Sequence, residues 1–390
     1  MTSRLARAQS IEDLRSMARG ALPRMLFDYI DGAALTESTA RANRQDLDAV
    51  ALVPSPLSDV SQRDCSVTLF GRKSSMPLII GPTGFNSMVW PRGDIALARA
   101  ASASGIPFVM SNGANASMAE LRADADADAR HWFQIYLPMD RDRWTPLIES
   151  ARSAGFEALE VTVDTAVPGR RLRDLHNGYG LPMQWTLGKV GQMVARPRWL
   201  LGMVRQGMPK PVIMEDAFDG GARNATMSEL MAKQINPSVT WEDLKRLRDL
   251  WRGPLIVKGL IDPTQIETAV SAGYDGVLLS NHGGRQLDGS VSTIAMLPEC
   301  AQAANGRITL LIDSGFRTGT DILRALALGA SAVQVGRATL FGLAAGGEGG
   351  VARALEILRL ELDVGMALAG TARLDPLPAI QTRRGAVWPA

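Results

Sequence analysis

Apolar positions along this chain repeat with two different periods. Near the start, Ile11, Leu14 and Met17 stand at helical spacing, and Pro23 opens a second helix that Gly32 ends. From about residue 76 the pattern turns to short apolar runs at 77–82, 107–111, 132–137, 158–164, 255–259, 276–281, 308–314 and 332–337. Each run is followed by polar or glycine residues, which predicts parallel strands buried on both faces. Helices are expected between them, over 94–104, 144–154, 241–250, 263–272 and 319–328. Eight alternations of strand and helix predict a (β/α)8 TIM barrel of α/β class. A doubly wound sheet would also alternate, but the GxGxxG turn is missing after the first run.

The pattern predicts a single domain, 1–390, with three additions. Residues 1–75 read as an N-terminal helical segment. The interval 165–240 is an insertion or active-site loop, far longer than an ordinary barrel connection. Val351, Leu355, Leu358 and Leu362 mark a closing helix with one apolar face, and the tail 371–390 has no clear periodicity. The acidic, alanine-rich stretch 123–129 reads as a solvated loop or helix face.

Composition narrows the function classes. Hydrophobic residues make up 46% and charged residues 21%, the balance of a globular protein with a large core. A net charge of +2 leaves no basic excess for a dedicated nucleic-acid binder. Cys65 and Cys300 lie far apart without zinc-type spacing, so neither a disulfide framework nor a structural metal is expected, and a reducing cytoplasmic setting fits. The N-terminus lacks a signal-type apolar segment, and no run of about 18 apolar residues occurs that could span a bilayer.

In a barrel, chemistry collects where the strands end. The residues there are Pro82-Thr83-Gly84, Ser111, Gln134 with Tyr136, Thr162 with Asp164, Lys258, Ser280 with His282 and Arg285, Asp313-Ser314-Gly315, and Gly336-Arg337. Asp313 to Arg317, followed by Gly336-Arg337, gathers glycine amides and arginines at the usual phosphate position of barrels; tight turns with surface arginines would look the same. His282 leaves a buried strand, precedes two glycines that let a ligand approach, and has Arg285 three residues on. An imidazole beside a fixed cation suits proton removal from a bound anion. Arg170-Arg171 is either a second carboxylate clamp or a solvated basic loop, and Asp164 is placed to support the imidazole. Lys258 either forms a Schiff base or faces negative charge on a cofactor.

Phe27-Asp28-Tyr29, Phe133-Gln134-Ile135-Tyr136, Thr162-Val163-Asp164 with Gly169-Arg170-Arg171, Val257-Lys258-Gly259, SNHGGRQLD (280–288), Asp313 to Arg317 and Val335-Gly336-Arg337 together resemble the FMN-dependent 2-hydroxy acid dehydrogenase and oxidase family. The likeness runs from about residue 10 to 368 with the motifs in family order, and SNHGGRQLD is its most specific element. It implies that FMN oxidises a 2-hydroxy acid to a 2-keto acid. His282 would be the general base, Asp164 its support, and Tyr136 the partner of the substrate hydroxyl. Arg171, Arg285 and Tyr29 would hold the carboxylate. Lys258 would face the N1/O2 edge of the flavin, displacing the Schiff-base reading. Pro82, Thr83, Gly84, Ser111, Gln134, Thr162 and Ser280 would meet the ring or ribityl chain, Asp313 the ribityl hydroxyls, and Gly315, Arg317, Gly336 and Arg337 the phosphate. The family implies the (S) substrate and a homo-oligomer, commonly a tetramer.

Two features resemble the family's bacterial mandelate dehydrogenases. Gly84 stands where oxidases of the glycolate type have alanine, and Gly113 where they place a bulky aromatic. Gly84 leaves room beside the flavin and favours an acceptor other than oxygen, while Gly113 makes a roomier pocket that suits an aromatic or bulky substrate, with lactate the alternative. Between Leu175 and Met214 no acidic residue occurs, while Lys189, Arg196, Arg198, Arg205 and Lys210 alternate with Trp185, Trp199, Leu200 and Leu201. That composition suits segment 183–214 to a membrane interface, and a soluble lid or subunit contact is the competing reading. The resemblance to membrane-bound mandelate and lactate dehydrogenases of the family implies the cytoplasmic face of an inner membrane and a quinone acceptor. FMN-dependent isomerases share the barrel and its phosphate site, but have no need of His282 beside two carboxylate clamps.

Overall fold

The computed structural model of the chain describes residues 3–178, 186–207, 209, 212, 236–377 and 379–384. Its centre is a closed parallel barrel of eight strands: β1 (Leu78–Ile80), β2 (Phe108–Met110), β3 (His131–Ile135), β4 (Ala158–Thr162), β5 (Leu255–Leu260), β6 (Gly276–Leu279), β7 (Thr309–Ile312) and β8 (Ala332–Val335). Each lies within a predicted run or exceeds it by one residue at one end, and β1 pairs with β8 through Val333 and Leu78 to close the ring. These strands read as unbroken apolar runs because side chains on both faces are buried, in the barrel on one side and under helices on the other. Polar residues enter the runs only at the ends and at a few interior positions, which become the site.

The expected helices occupy Gly93–Ala103, Trp144–Ser153, Trp241–Leu250, Pro263–Ser271 and Gly319–Ala327. Their starts follow from local chemistry. Thr240 with Asp243, and Thr318 with Asp321, form reciprocal capping boxes, and Asp262 caps the turn that Pro263 enters. The stretch 123–129 follows the short helix Met118–Ala123 as a loop. A long helix, Arg337–Leu368, leaves β8, breaks at Gly346 and Gly347, and buries Val351, Leu355, Leu358 and Leu362 as the spacing predicts.

The N-terminal segment departs from its prediction in one respect. Helices Ile11–Ala21, Arg24–Asp31 and Ser38–Asp48 form as read, the second between Pro23 and Gly32. Beyond Asp48, however, the chain is extended rather than helical. Val50–Leu52 pairs antiparallel with Thr382–Arg384 of the tail, and Val67–Leu69 makes a hairpin with Arg72–Ser74. Phe70 and Gly71 supply positive φ at that turn, and Phe70 packs edge-on against Trp132 of β3. Strands of three residues show too few alternations to be read from sequence.

Within the insertion, Leu187–Val194 and Pro197–Gln206 are helices. Trp199 turns inward, donating its indole N–H to Met88 O at 2.8 Å, and Leu200 packs on the core. Lys189 is also buried, its ammonium donating to Gly178 O at 2.8 Å. Three residues assigned to the membrane face thus serve the fold instead. Trp185, Lys210 and Met214 lie outside the described residues.

Candidate active site

One pocket opens at the C-terminal ends of the strands, and the N-terminal helix Arg24–Asp31 delivers Tyr29 to its rim. That helix is held by Asp31, which accepts from Arg15 Nε at 2.6 Å and from Arg173 Nη1, in the insertion, at 3.0 Å. Segments far apart in sequence are therefore tied together around one opening.

At the β7–β8 side the pocket is cationic. Gly315 has φ +94°, a conformation that disfavours side chains, and an added Cβ would meet Asn43 Cβ at 3.0 Å. Gly336 begins the helix Arg337–Leu368, whose N-terminus points positive partial charge at the pocket. Arg337 donates to Ile30, Gly283 and Gly32 carbonyls at 3.0, 2.8 and 2.8 Å, and Arg317 lies over the Phe341 ring at 5.6 Å. Burial, and then the charge of neighbouring arginines, lowers both guanidinium groups to about 10. Among the described residues neither is ion-paired to a carboxylate, so a phosphate there would relieve the repulsion.

Beneath the opening, Lys258 Nζ contacts Asp313 and lies 3.2 Å from Ser280 Oγ and 3.5 Å from Gln334 Oε1. Burial disfavours its charge, but Asp313, Glu160 and Asp164 outweigh that and raise its pKa. Lys258 is a fixed ammonium, and its partners oppose the neutral amine a Schiff base requires. Gln134 accepts from Ser111 Oγ and Asn112 N at 3.3 and 3.2 Å, and donates to Thr162 Oγ1 at 3.0 Å.

At the mouth, His282 Nδ1 is 3.1 Å from Asp164 Oδ1. Asp164 on Nδ1 favours the tautomer that leaves Nε2 free to accept a proton. Gln286 fixes the acid's loop, donating to Asp164 O at 3.1 Å and accepting from Gly169 N at 3.0 Å. Arg285 stands with its guanidinium 5.1 Å above the Tyr29 ring and donates to the Tyr29 carbonyl at 2.7 Å. Burial, then Arg171, lowers Arg285 to about 9. Arg171 lines the same pocket, and its buried Nε has no hydrogen-bond partner among the described residues, whereas Arg170 is exposed. Of the two arginines, Arg171 is the one that lines the pocket. Tyr136 joins them, its phenol raised first by burial and then by Asp164, so it is a hydroxyl donor.

The structure also reassigns the glycines after His282. His282, Gly283 and Gly284 have φ of +57°, +66° and +75°. An added Cβ at Gly283 would meet Arg337 Nη1 at 2.5 Å, and at Gly284 the Ala40 amide at 2.6 Å. In the direction of each missing side chain the protein itself fills the space, while the Gly283 backbone also lines the pocket. Asp288, at the end of the same motif, accepts from Thr36 and Ser38 hydroxyls at 2.6 and 2.7 Å and from Thr39 N at 3.0 Å. These bonds overcome burial and hold its carboxyl far below the usual range. They fasten the segment following Tyr29 to the His282 loop.

Of the sequence-predicted residues, Tyr29, Pro82, Thr83, Gly84, Ser111, Tyr136, Arg171, Lys258, His282, Arg285, Asp313, Gly315, Arg317, Gly336 and Arg337 line the pocket. Asp164, Gln134, Thr162 and Ser280 do not; each is bonded to a residue that does, or in the case of Thr162 to Gln134. Sequence reasoning gave no role to Gln334, which lines the floor, or to Ser314, named only as part of a strand end, which accepts from Gly283 N at 3.0 Å. A glutamine inside an otherwise apolar strand was the available signal for the first. It also missed Asp94, a buried carboxylate that accepts from Asn86 Nδ2 and Asn115 N at 2.8 Å each and so joins the loops after β1 and β2.

Comparison with known proteins agrees with this geometry. The family model described as FMN-dependent dehydrogenase matches residues 18–383. An (S)-mandelate dehydrogenase of Pseudomonas putida is 42% identical over 93% of this chain and 90% of its own length. An L-lactate dehydrogenase of Yersinia pestis (strain Pestoides F) is 40% identical over 93% of this chain and 94% of its own. The crystal structure of a monotopic membrane protein, (S)-mandelate dehydrogenase, superposes with a TM-score of 0.90 at 40% identity, covering 97% of this chain and all of that one. The chain belongs to the FMN-dependent dehydrogenase family and is an FMN-dependent enzyme.

Proposed function

We propose that this enzyme oxidises an (S)-2-hydroxy acid with a bulky or aromatic side chain, of the mandelate type, to the 2-keto acid. The observation that carries the reading is the meeting of His282, Arg171 and Arg285 in one pocket above the buried Lys258. The residues present fit FMN. Arg317, Arg337 and the amides at Gly315 and Gly336 would hold the phosphate, Asp313 the ribityl hydroxyls, and Ser111, Gln134, Thr162, Ser280 and Lys258 the ring and its polar edge. Bound FMN supplies the two-electron acceptor.

Arg171 and Arg285 would hold the substrate carboxylate, with Tyr29 beside them. Tyr136 would donate to the substrate oxygen. His282 Nε2 would take one of the two protons that the alcohol loses, and Asp164 would stabilise the imidazolium that results. Lys258 would offset negative charge in the pocket.

An acceptor at a membrane surface extends the reading. The two insertion helices expose Leu187, Val190, Val194, Leu201 and Val204, with Arg198 and Arg205 among them. Their inner face packs beside the pocket, where Gln206 Nε2 donates to Ser87 O at 2.7 Å. An apolar face edged with arginine suits anionic headgroups and would bring the pocket close to a quinone in the bilayer. No helix among the described residues is long and apolar enough to cross a membrane.

The test is anaerobic addition of (S)-mandelate, (S)-lactate or glycolate to the yellow holoenzyme. Fast bleaching by mandelate, with slow or no bleaching by glycolate, is expected. A preference for lactate would place the chain with its lactate-oxidising relatives, and no bleaching by any hydroxy acid would sink the proposal. Reoxidation by a quinone analogue should outrun reoxidation by oxygen.

A further inference from the structure

Two polar side chains meet inside the barrel below the pocket floor. Glu160 on β4 is fully buried, and its Oε2 accepts from Gln334 Nε2 on β8 at 2.7 Å. β4 and β8 are not neighbours in the sheet, so this bond crosses the barrel interior. Gln334 turns its Oε1 towards Lys258 Nζ at 3.5 Å, and it lines the cofactor pocket while Glu160 lies outside that lining. Space for the glutamine is provided by Gly81, where a Cβ would meet Gln334 Cγ at 2.8 Å. Glu160 Oε1 is buried with no hydrogen-bond partner among the described residues.

An apolar pair would fill this layer at lower cost, since a buried carboxyl with one bare oxygen is expensive. None of the roles assigned above uses it. We propose that Glu160 is a positioning residue which, acting through Gln334 and Lys258, takes up a solvent proton when two electrons arrive in the pocket above it. The two electrons come from the substrate; one of the two protons that the alcohol loses goes to His282, and the other leaves with the electrons to the acceptor. The additional proton comes from water and forms an O–H bond on the Glu160 carboxylate, so the buried layer gains no net charge for one of the two electrons.

The surroundings supply the required balance. Burial pushes Glu160 up to about 7; Lys258 and the Gln334 amide oppose this, while Asp313 and Asp164 add to it. Tyr136 is raised, first by burial and only last by Glu160, and stays neutral. Asp313 is already matched to Lys258, and Asp164 is bonded to His282 Nδ1, whereas Glu160 has no ion pair among the described residues. Added negative charge above Lys258 favours the protonated acid.

The experiment is a spectroelectrochemical titration of holoenzyme across a pH range centred on about 7, in wild type and Glu160→Gln. An electrode supplies the electrons, so the outcome depends on FMN binding and not on the substrate assigned above. Expected in wild type is a window above neutrality where the midpoint potential falls more steeply, by one additional proton per two electrons. Glu160→Gln should lack that window, match wild type at acid pH and lie above it at alkaline pH. Parallel profiles at every pH would overturn the proposal. Should the variant fail to fold, redox-difference infrared spectra of wild type decide it: reduction above neutral pH must produce a protonated-carboxyl band, and its absence overturns the assignment.

Discussion

Gly84 and Gly113 lie backbone against backbone: a Cβ added at Gly84 would sit 3.3 Å from the Gly113 carbonyl oxygen. The two glycines that seemed independent in sequence are thus one feature, the contact between the loops after β1 and β2. Phe85 N donates to Gly113 O at 3.0 Å and holds the loops at this separation. Alanine at 84 does not simply fill open space; it pushes the second loop by a few tenths of an ångström. Gly84→Ala is expected to fold and bind FMN, and to lower kcat/KM for mandelate more than for lactate. Equal effects on both substrates would show that this contact does not set the pocket's size.

The Asp164–His282 pair predicts a loss confined to turnover. Asp164→Asn removes the charge that favours the imidazolium but keeps the shape of the side chain. A charge-assisted hydrogen bond contributes about 1.5–3 kcal/mol, so the rate of flavin reduction should fall by about 10- to 150-fold. His282→Ala should fall further, by about 100- to 10,000-fold, with the flavin still bound. Stopped-flow reduction by substrate, beside the flavin absorbance of each variant, separates loss of chemistry from loss of cofactor.

Arg171 should govern binding more than rate. Its buried Nε lacks a partner among the described residues, which a substrate carboxylate would supply. Arg171→Met keeps an apolar stem and deletes the donor. Binding of the 2-keto acid product should weaken by about 10- to 150-fold, matching about 1.5–3 kcal/mol for a charged hydrogen bond. Spectral titration of the oxidised holoenzyme reads this directly. Arg170→Met, altering an exposed neighbour, should leave the affinity near that of wild type.

Asp94 predicts a pH dependence of stability. Burial outweighs its bonds from Asn86, Asn115 and Ala116 and raises its carboxyl to about 6. A carboxyl raised on folding binds its proton more tightly in the folded state. Its contribution is therefore greatest at acid pH and is lost as pH rises through about 6. Asp94→Asn does not titrate. The Tm of the variant should gain on that of wild type as pH is raised through this window, whatever their offset at acid pH; a constant difference would argue against the raised carboxyl.

The barrel was legible because its strands are buried on both faces, so that β1 to β8 stand out as apolar runs cut short by polar residues. The chemistry was legible for the same reason: His282, Lys258 and Asp164 interrupt or end such runs. What escaped depends on direction in space. Only the closure of the ring brings Glu160 of β4 opposite Gln334 of β8. Only the packing of Ala40 and Arg337 explains Gly284 and Gly283. The insertion shows the same limit. Its basic and aromatic composition was plain, but Trp199 and Lys189 face the protein, and the exposed apolar positions are Leu187, Val190, Val194, Leu201 and Val204.

Those exposed positions make the membrane reading testable at single residues. Leu201 and Val204 stand on one helix at a spacing of three, on the side away from Trp199. Burying a Leu or Val side chain contributes about 1.5–3 kcal/mol, and a carboxylate in its place also repels anionic lipid. Leu201→Glu with Val204→Glu should weaken partition onto vesicles of anionic lipid by more than about 100-fold. Trp199→Phe, which removes only an inward hydrogen bond, should weaken it little. Anaerobic bleaching by substrate in detergent-free buffer should survive the double substitution, because neither residue lines the pocket. Unchanged vesicle binding by the double variant would reject this face as the contact, and loss of bleaching along with binding would mean that the helix supports the pocket itself.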